Sequence, residues 1–257
     1  MTKYPIILVH GIAIRETKLL KAFGKIESSL TEAGYEAYTA GIDAFGSIES
    51  NAEQLKEIIL KILSDTGAQR ANIIAHSKGG LDSKYMISHL GMSDRIASLT
   101  TMCTPHRGSS VATWIWKLPM WMKKSLAFFI NGFYRIMGDK HPDSLKVCEQ
   151  LKSAEGAPDE DLSLGSVYCQ SFSTRLMSGK DCILMAVPMM ICHQSNETEN
   201  DGVVSAESAK FEHYRGDCLD ESISHTQIVD ILARRKSRKR ILTFYVGLCE
   251  ELAEMGY

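Results

Sequence analysis

Residues 71–80, Ala-Asn-Ile-Ile-Ala-His-Ser-Lys-Gly-Gly, constrain this chain more than any other stretch. An apolar run of strand length stops at a serine, and Gly79-Gly80 open a helical segment that reaches residue 90. A strand that turns so directly into a helix is the first half of a βα unit. Such units build parallel sheets with helices on both faces. The turn must be tight. Small residues two before and two after the serine, Ala75 and Gly79, let neighbouring backbone pass close to it.

The alternation continues on both sides. Residues 5–9 are a continuous apolar run of the kind buried on both faces of a parallel sheet. Leu19, Phe23, Ile26, Leu30 and Ala33 follow at helical spacing, and residues 36–42 read as the next strand. Ser50 and Glu53 fit a capping box ahead of a helix carrying Leu55, Ile59 and Ile62. Residues 96–103 form a fourth strand and the apolar run 182–187 a fifth. A last helix covers about residues 238–255, with Leu242, Tyr245, Cys249 and Leu252 on one face. The expectation is one α/β domain over residues 1–257, with a mostly parallel central sheet. The interruption at about 109–165 is too long for a plain loop and is expected to be a helical lid insertion.

Composition excludes several classes. With 29 basic and 31 acidic residues the net charge is −2, so no global basic field favours nucleic acid as a partner. The seven cysteines show no CxxC pair and no zinc spacing. No apolar tract reaches the roughly 18 to 20 residues of a membrane span. The N-terminal apolar stretch is too short for a secretion signal. A cytoplasmic protein with reduced thiols is expected, although a mature secreted form would read the same way.

The chemistry centres on Ser77. A strand, x-Ser-x-Gly-Gly and a helix form the setting of a nucleophilic serine held clear of a sheet. Acyl transfer needs two donors aimed at the developing oxyanion. The backbone N–H of Lys78 supplies one, and that of Ile12, after the strand ending His10-Gly11, supplies the other. The acid and base come later in the chain. Asp201 sits in the turn-forming Asn200-Asp201-Gly202, and His225 follows. His213 is a second base candidate, and Asp217 and Asp220 are second acids. Residue chemistry alone does not choose between them.

Five blocks stand in order: His10-Gly11-Ile12, residues 75–80, Thr104-Pro105-His106-Arg107-Gly108-Ser109, residues 200–204 and Ser224-His225. Together they resemble bacterial triacylglycerol lipases and esterases of the α/β-hydrolase superfamily, over nearly the whole chain. The Ala-x-Ser-x-Gly form is similar to that of small Bacillus-type lipases. The resemblance implies an α/β-hydrolase fold and a serine carboxylic-ester hydrolase acting on acylglycerols or similar lipid esters, with no cofactor. It selects Asp201 as acid and His225 as base. Many related secreted lipases have His-Leu-Asp at the base, where the Asp helps hold calcium. Here the run is His225-Thr226-Gln227, so no metal is expected. The same triad would serve a thioesterase, an amidase or an acyltransferase, and a chain with a dead triad would be a lipid-surface binding protein.

The insertion holds all three tryptophans. Leu126, Phe129, Ile130, Phe133 and Met137 fall on one helical face. Trp114, Trp121, Phe129 and Phe133 are expected to cover the acyl pocket in water and to swing onto a membrane or lipid-droplet surface. Residues 233–240 carry six basic side chains in eight and read as a solvated helix start or a membrane-touching surface. Asp82, Ser83 and Lys84 are expected to be structural polar groups, and Cys103 and Cys192 buried small residues near strand ends.

Overall fold

The computed structural model describes residues 1–17, 21–152 and 164–257. Leu19 and the stretch 153–163 of the expected insertion lie outside the described residues. Six strands, β1 (Ile6–Val9), β2 (Ala37–Ala40), β3 (Ala71–His76), β4 (Ile96–Met102), β5 (Tyr168–Arg175) and β6 (His213–Ser222), form one sheet in the order β2-β1-β3-β4-β5-β6. All pairings are parallel.

Strand alternation sorts the apolar side chains onto two faces. Ile6, Leu8 and Ile74 meet α1 (Ile26–Glu32) and α9 (Arg235–Glu254) on one face, where Tyr245 is fully buried. Ile7, Val9, Ile73 and Leu99 meet α2 (Ile48–Thr66) and α3 (Lys78–His89) on the other. That two-sided burial is why β1 is apolar throughout and β3 largely so, its buried Asn72 accepting from the Ser98 hydroxyl at 2.8 Å.

Three sequence expectations change in detail. Helix α1 begins only at Ile26, although Phe23 ahead of it is buried. Ser47, not Ser50, caps α2, its hydroxyl accepting from the Ser50 N–H at 3.2 Å. Residues 182–187 are not a strand. They form a short helical turn, Ile183–Met185, leading into α7 (Ala186–Gln194), so Cys192 lies in a helix. The fifth strand is the polar segment Tyr168–Arg175.

The insertion after β4 carries α4 (Ser110–Trp116), α5 (Met120–Met137) and α6 (Ser144–Leu151). Its middle is tied down after Gly138. Asp139 accepts from Phe45 N–H at 3.0 Å and pairs with Arg15. Asp43 accepts from the Lys140 and His141 N–H groups at 2.9 and 2.8 Å. Burial works against ionisation of Asp43, but these bonds, with Gln54 and Arg15, outweigh it and hold its carboxyl below the usual range. A short helix, α8 (Ala206–Ala209), precedes β6.

Candidate active site

The sheet register assembles the site. Val9 pairs with Ala75 and His76 with Met102. One or two residues beyond these pairs, the ends of β1, β3 and β4 converge, at the carboxyl edge of the sheet where α/β folds place their chemistry. Ser77 stands there with φ 54° and ψ −132°, a strained conformation for a residue with a side chain. Its N–H donates to Met102 C=O at 2.9 Å, which fastens the turn to β4.

The glycines are steric requirements. A Cβ on Gly79 would lie 2.6 Å from the carbonyl oxygens of both Val9 and His10. One on Gly11 would lie 2.6 Å from Ser77 Cβ and 3.0 Å from its Oγ. The serine turn and the end of β1 are therefore in backbone contact. Among the described residues, the N–H groups of Ile12 and Lys78 donate to no protein acceptor.

Loops after β5 and β6 complete the group. His225 Nε2 lies 2.9 Å from Ser77 Oγ, and His225 Nδ1 lies 2.6 Å from Asp201 Oδ2. Asp201 Oδ1 accepts from the N–H groups of Val203 and Val204 at 2.9 and 2.8 Å. The His225 N–H donates to Asp201 C=O at 2.9 Å, so main chain and side chain fix the same pair. All three residues are buried. Gly202, at φ 102°, makes the turn that folds Asp201 back onto its own backbone.

The other candidates lie elsewhere. His213 is exposed on β6 and stacks on Tyr168, Asp217 pairs with Arg175, and Asp220 is exposed. Asp230 pairs with Arg238 and accepts from Lys25 N–H. The buried side chain of Lys78 meets Asp82 at 2.6 Å, and Asn51 donates to the same carboxylate at 3.1 Å. Burial raises Asp82 to about 6 against the pull of Lys78.

One neighbour escaped the sequence reading, and another, expected to be buried, lies closer to the site than the sequence indicates. His76 packs its ring 4.5 Å from that of His225, and its Nε2 has no partner. Burial, and then His225 itself, push its pKa well down, so it is neutral. Cys103, at φ 51°, is buried behind Asp201. Burial, then the Asp201 charge, keep it a thiol. Cys103, Asp201 and His225 are also the one group of three potential metal ligands within reach of a common ion among the described residues. An ion there would displace the bond between Asp201 and His225. Cys103 is buried at the end of β4, as expected, and its closeness to Asp201 comes from the fold rather than from sequence.

Above Ser77 opens an apolar cavity of about 520 Å³. Ile115 of α4, Leu126 and Ile130 of α5, Val147 of α6 and Pro188 of α7 contribute walls, and Ile12, Ser77 and His225 also line it. Trp114, Trp121, Phe129 and Phe133 do not. All four are exposed, Trp121 at 73% and Phe129 at 68%. The expected stripe divides: Leu126 and Ile130 line the cavity, while Phe129 and Phe133 face outward. The expectation that the aromatic face is buried against the pocket is therefore corrected.

The chain is similar to several known proteins. Residues 3–112 match the family model described as lipase (class 2). A triacylglycerol lipase of Pseudarthrobacter phenanthrenivorans is 32% identical over 169 residues, covering 61% of this chain and 52% of that protein. The chain spans about half the length of the first curated relatives it matches. The Staphylococcus hyicus lipase structure superposes with a TM-score of 0.68 at 13% identity, covering 99% of this chain and 95% of that one. A Bacillus licheniformis lipase in mature form gives 0.65 at 18%, covering 89% and 87%. The fold is the α/β-hydrolase fold, shared with these lipase structures, and in sequence the chain resembles bacterial triacylglycerol lipases.

Proposed function

We propose that the chain is a serine carboxylic-ester hydrolase acting on acylglycerols or similar lipid esters. The observation that carries this is the hydrogen-bonded series Ser77, His225, Asp201 beneath an apolar cavity wide enough for an acyl chain. Ser77 Oγ attacks the ester carbonyl as His225 Nε2 takes its proton. Asp201 accepts from His225 Nδ1–H and stabilises the imidazolium. The Ile12 and Lys78 N–H groups hold the oxyanion, where preorganised donors outperform water. His225 then protonates the leaving alcohol, and water releases the acyl group from Ser77 by the same route. Neutral His76 sets no second positive charge beside that imidazolium.

The walls of the cavity favour acyl chains, and the exposed aromatic face of α5 favours a lipid surface over water. No helix among the described residues is long and apolar enough to cross a membrane, so contact is peripheral in this reading. All seven cysteines are free thiols, which suits the cytoplasm.

A fluorophosphonate probe should label the protein at Ser77. Ser77→Ala should lower ester turnover on the order of 10⁴ to 10⁶-fold, His225→Ala should cost about as much, and the pair should cost little more. His213→Ala should leave turnover within a few fold of the parent. A folded Ser77→Ala protein with parental turnover, or a dead His213 variant, overturns the assignment.

A further inference from the structure

We infer that the basic start of α9, together with the apolar turn before α7 and Leu232, forms a docking surface for an anionic lipid bilayer. The run 234–240 holds six basic side chains. Two are neutralised, Arg238 by Asp230 at 2.5 Å and Arg240 by Glu221 at 3.1 Å. Arg234, Arg235, Lys236 and Lys239 are exposed and have no acidic partner among the described residues. Arg234 Nη2 donates to the Lys180 carbonyl at 3.4 Å, which brings a fifth exposed cation alongside. The neighbouring Asp181 carboxylate is engaged by the Ser222 hydroxyl.

This charge is placed against the interest of the helix. Cations at a helix start oppose the macrodipole, and the first turn of α9 holds no acid to offset them. Helix stability therefore does not account for the run. Its location does. The Tyr257 carbonyl, just beyond α9, accepts from Lys3 N–H at 2.7 Å, near the start of β1. The Arg235 end thus lies toward the carboxyl edge of the sheet, where the cavity opens. The loop leading into α9 lends Thr226 and Ile231 to the cavity lining.

Apolar groups stand beside these cations without cover. Leu232 is exposed at φ 58°, a costly conformation for a branched side chain. Ile183 and Val187 are exposed at 83% and 68%, while Leu184 and Pro188 of the same segment line the cavity. Cations flanking exposed aliphatic side chains match the headgroup and acyl layers of an anionic membrane. A polynucleotide would reward stacking aromatics in the patch, and this one offers aliphatic residues.

The inference concerns where the proposed hydrolase meets its lipid, and it is tested without turnover. Ser77→Ala protein should pellet with phosphatidylcholine vesicles that contain phosphatidylserine far more than with vesicles that lack it, and high salt should abolish the difference. Replacing Arg234, Arg235 and Lys236 by Gln should weaken binding to the anionic vesicles on the order of 100-fold, at roughly fivefold per cation. Ile183→Ser with Val187→Ser should also weaken binding, with the melting temperature and probe labelling of the Ser77-intact versions unchanged. Equal pelleting with both vesicle types overturns the inference, as does undiminished binding by the Gln variant. Binding of single-stranded RNA without vesicle binding overturns it too. Loss of labelling with vesicle binding intact would strike the hydrolase reading and leave this one standing.

Discussion

At the scale of single residues, the candidate site depends on missing atoms as much as on Ser77, His225 and Asp201. Gly11 touches Ser77 where any side chain would meet the nucleophile. Gly11→Ala should therefore cut kcat/KM for a soluble ester about 100-fold or more, since small misplacements of reacting groups cost that much. Its melting temperature should fall as well, because Ser77 Cβ is carried by the turn backbone and the His76 carbonyl lies at 3.3 Å, but the loss of kcat/KM should dominate. Gly79→Ala meets two backbone carbonyls, which cannot move aside, and should destabilise by about 1–3 kcal/mol. Thermal melts and steady-state kinetics on both variants check the contrast, and a Gly11→Ala enzyme with parental kcat/KM would refute it. Gly79 was legible because a strand, the serine and Gly79 are adjacent in sequence; the contact of Gly11 with Ser77 was not, because it joins segments far apart in the chain. The choice of His225 over His213 was not legible from residue chemistry, because it depends on which loop folds over the sheet edge. The resemblance made that choice, and the distances to Ser77 and Asp201 agree with it.

Among the elements, strands with an apolar pattern were readable and the polar strand β5 was not. β1 and β3 are fully buried and largely apolar, and β4 keeps enough apolar positions to be read despite Ser98, Thr100 and Thr101. β5 is buried too, but its polar side chains find partners across the sheet. Gln170 donates to Thr100, Ser171 to the Phe211 carbonyl, and Ser173 to Asp217. Hydrophobic periodicity cannot detect such a strand. The opposite error befell residues 182–187, where apolar character reflects a cavity wall on one side and an exposed rim on the other. Helix α5 follows the same logic and supports a prediction. Its aromatic face already meets water, so contact with lipid needs no prior opening. Each large apolar side chain moved from water to lipid gains roughly 1.5–3 kcal/mol. Phe129→Ser with Phe133→Ser should leave the melting temperature and short-chain ester turnover near parental values. The rise in turnover of a long-chain ester above its aggregation threshold should be lost. A lowered melting temperature with parallel loss on both substrates would show the face to be structural.

For the whole molecule, the carboxyl edge of the sheet concentrates neutral histidines, and that ties stability to pH. His10 and His76 each have an unpartnered buried Nε2, and His106 an unpartnered Nδ1. Burial, the largest cause at each, lowers His10, takes His76 well below its ordinary value, and brings His106 to about 3. Below about pH 6.5 the unfolded chain takes up a proton at each of these sites more readily than the folded chain does. Folding stability is therefore lost as pH falls through that value, by up to about 1.4 kcal/mol per pH unit for each histidine. Asp82 acts in the opposite sense. Burial raises its folded value to about 6, so the folded state takes up that proton more readily than the unfolded one and gains stability as pH falls from about 6 toward 3.8. Three sites against one leave a net loss on the acid side. Melting temperatures measured from about pH 7.5 down to about pH 5 should fall steadily. His106→Gln, which removes one of the three sites outside the triad, should make the descent shallower. A melting temperature that stays level across that range would mean that these histidines take up protons in the folded protein, and that the edge of the sheet around Ser77 is wetter than its packing indicates.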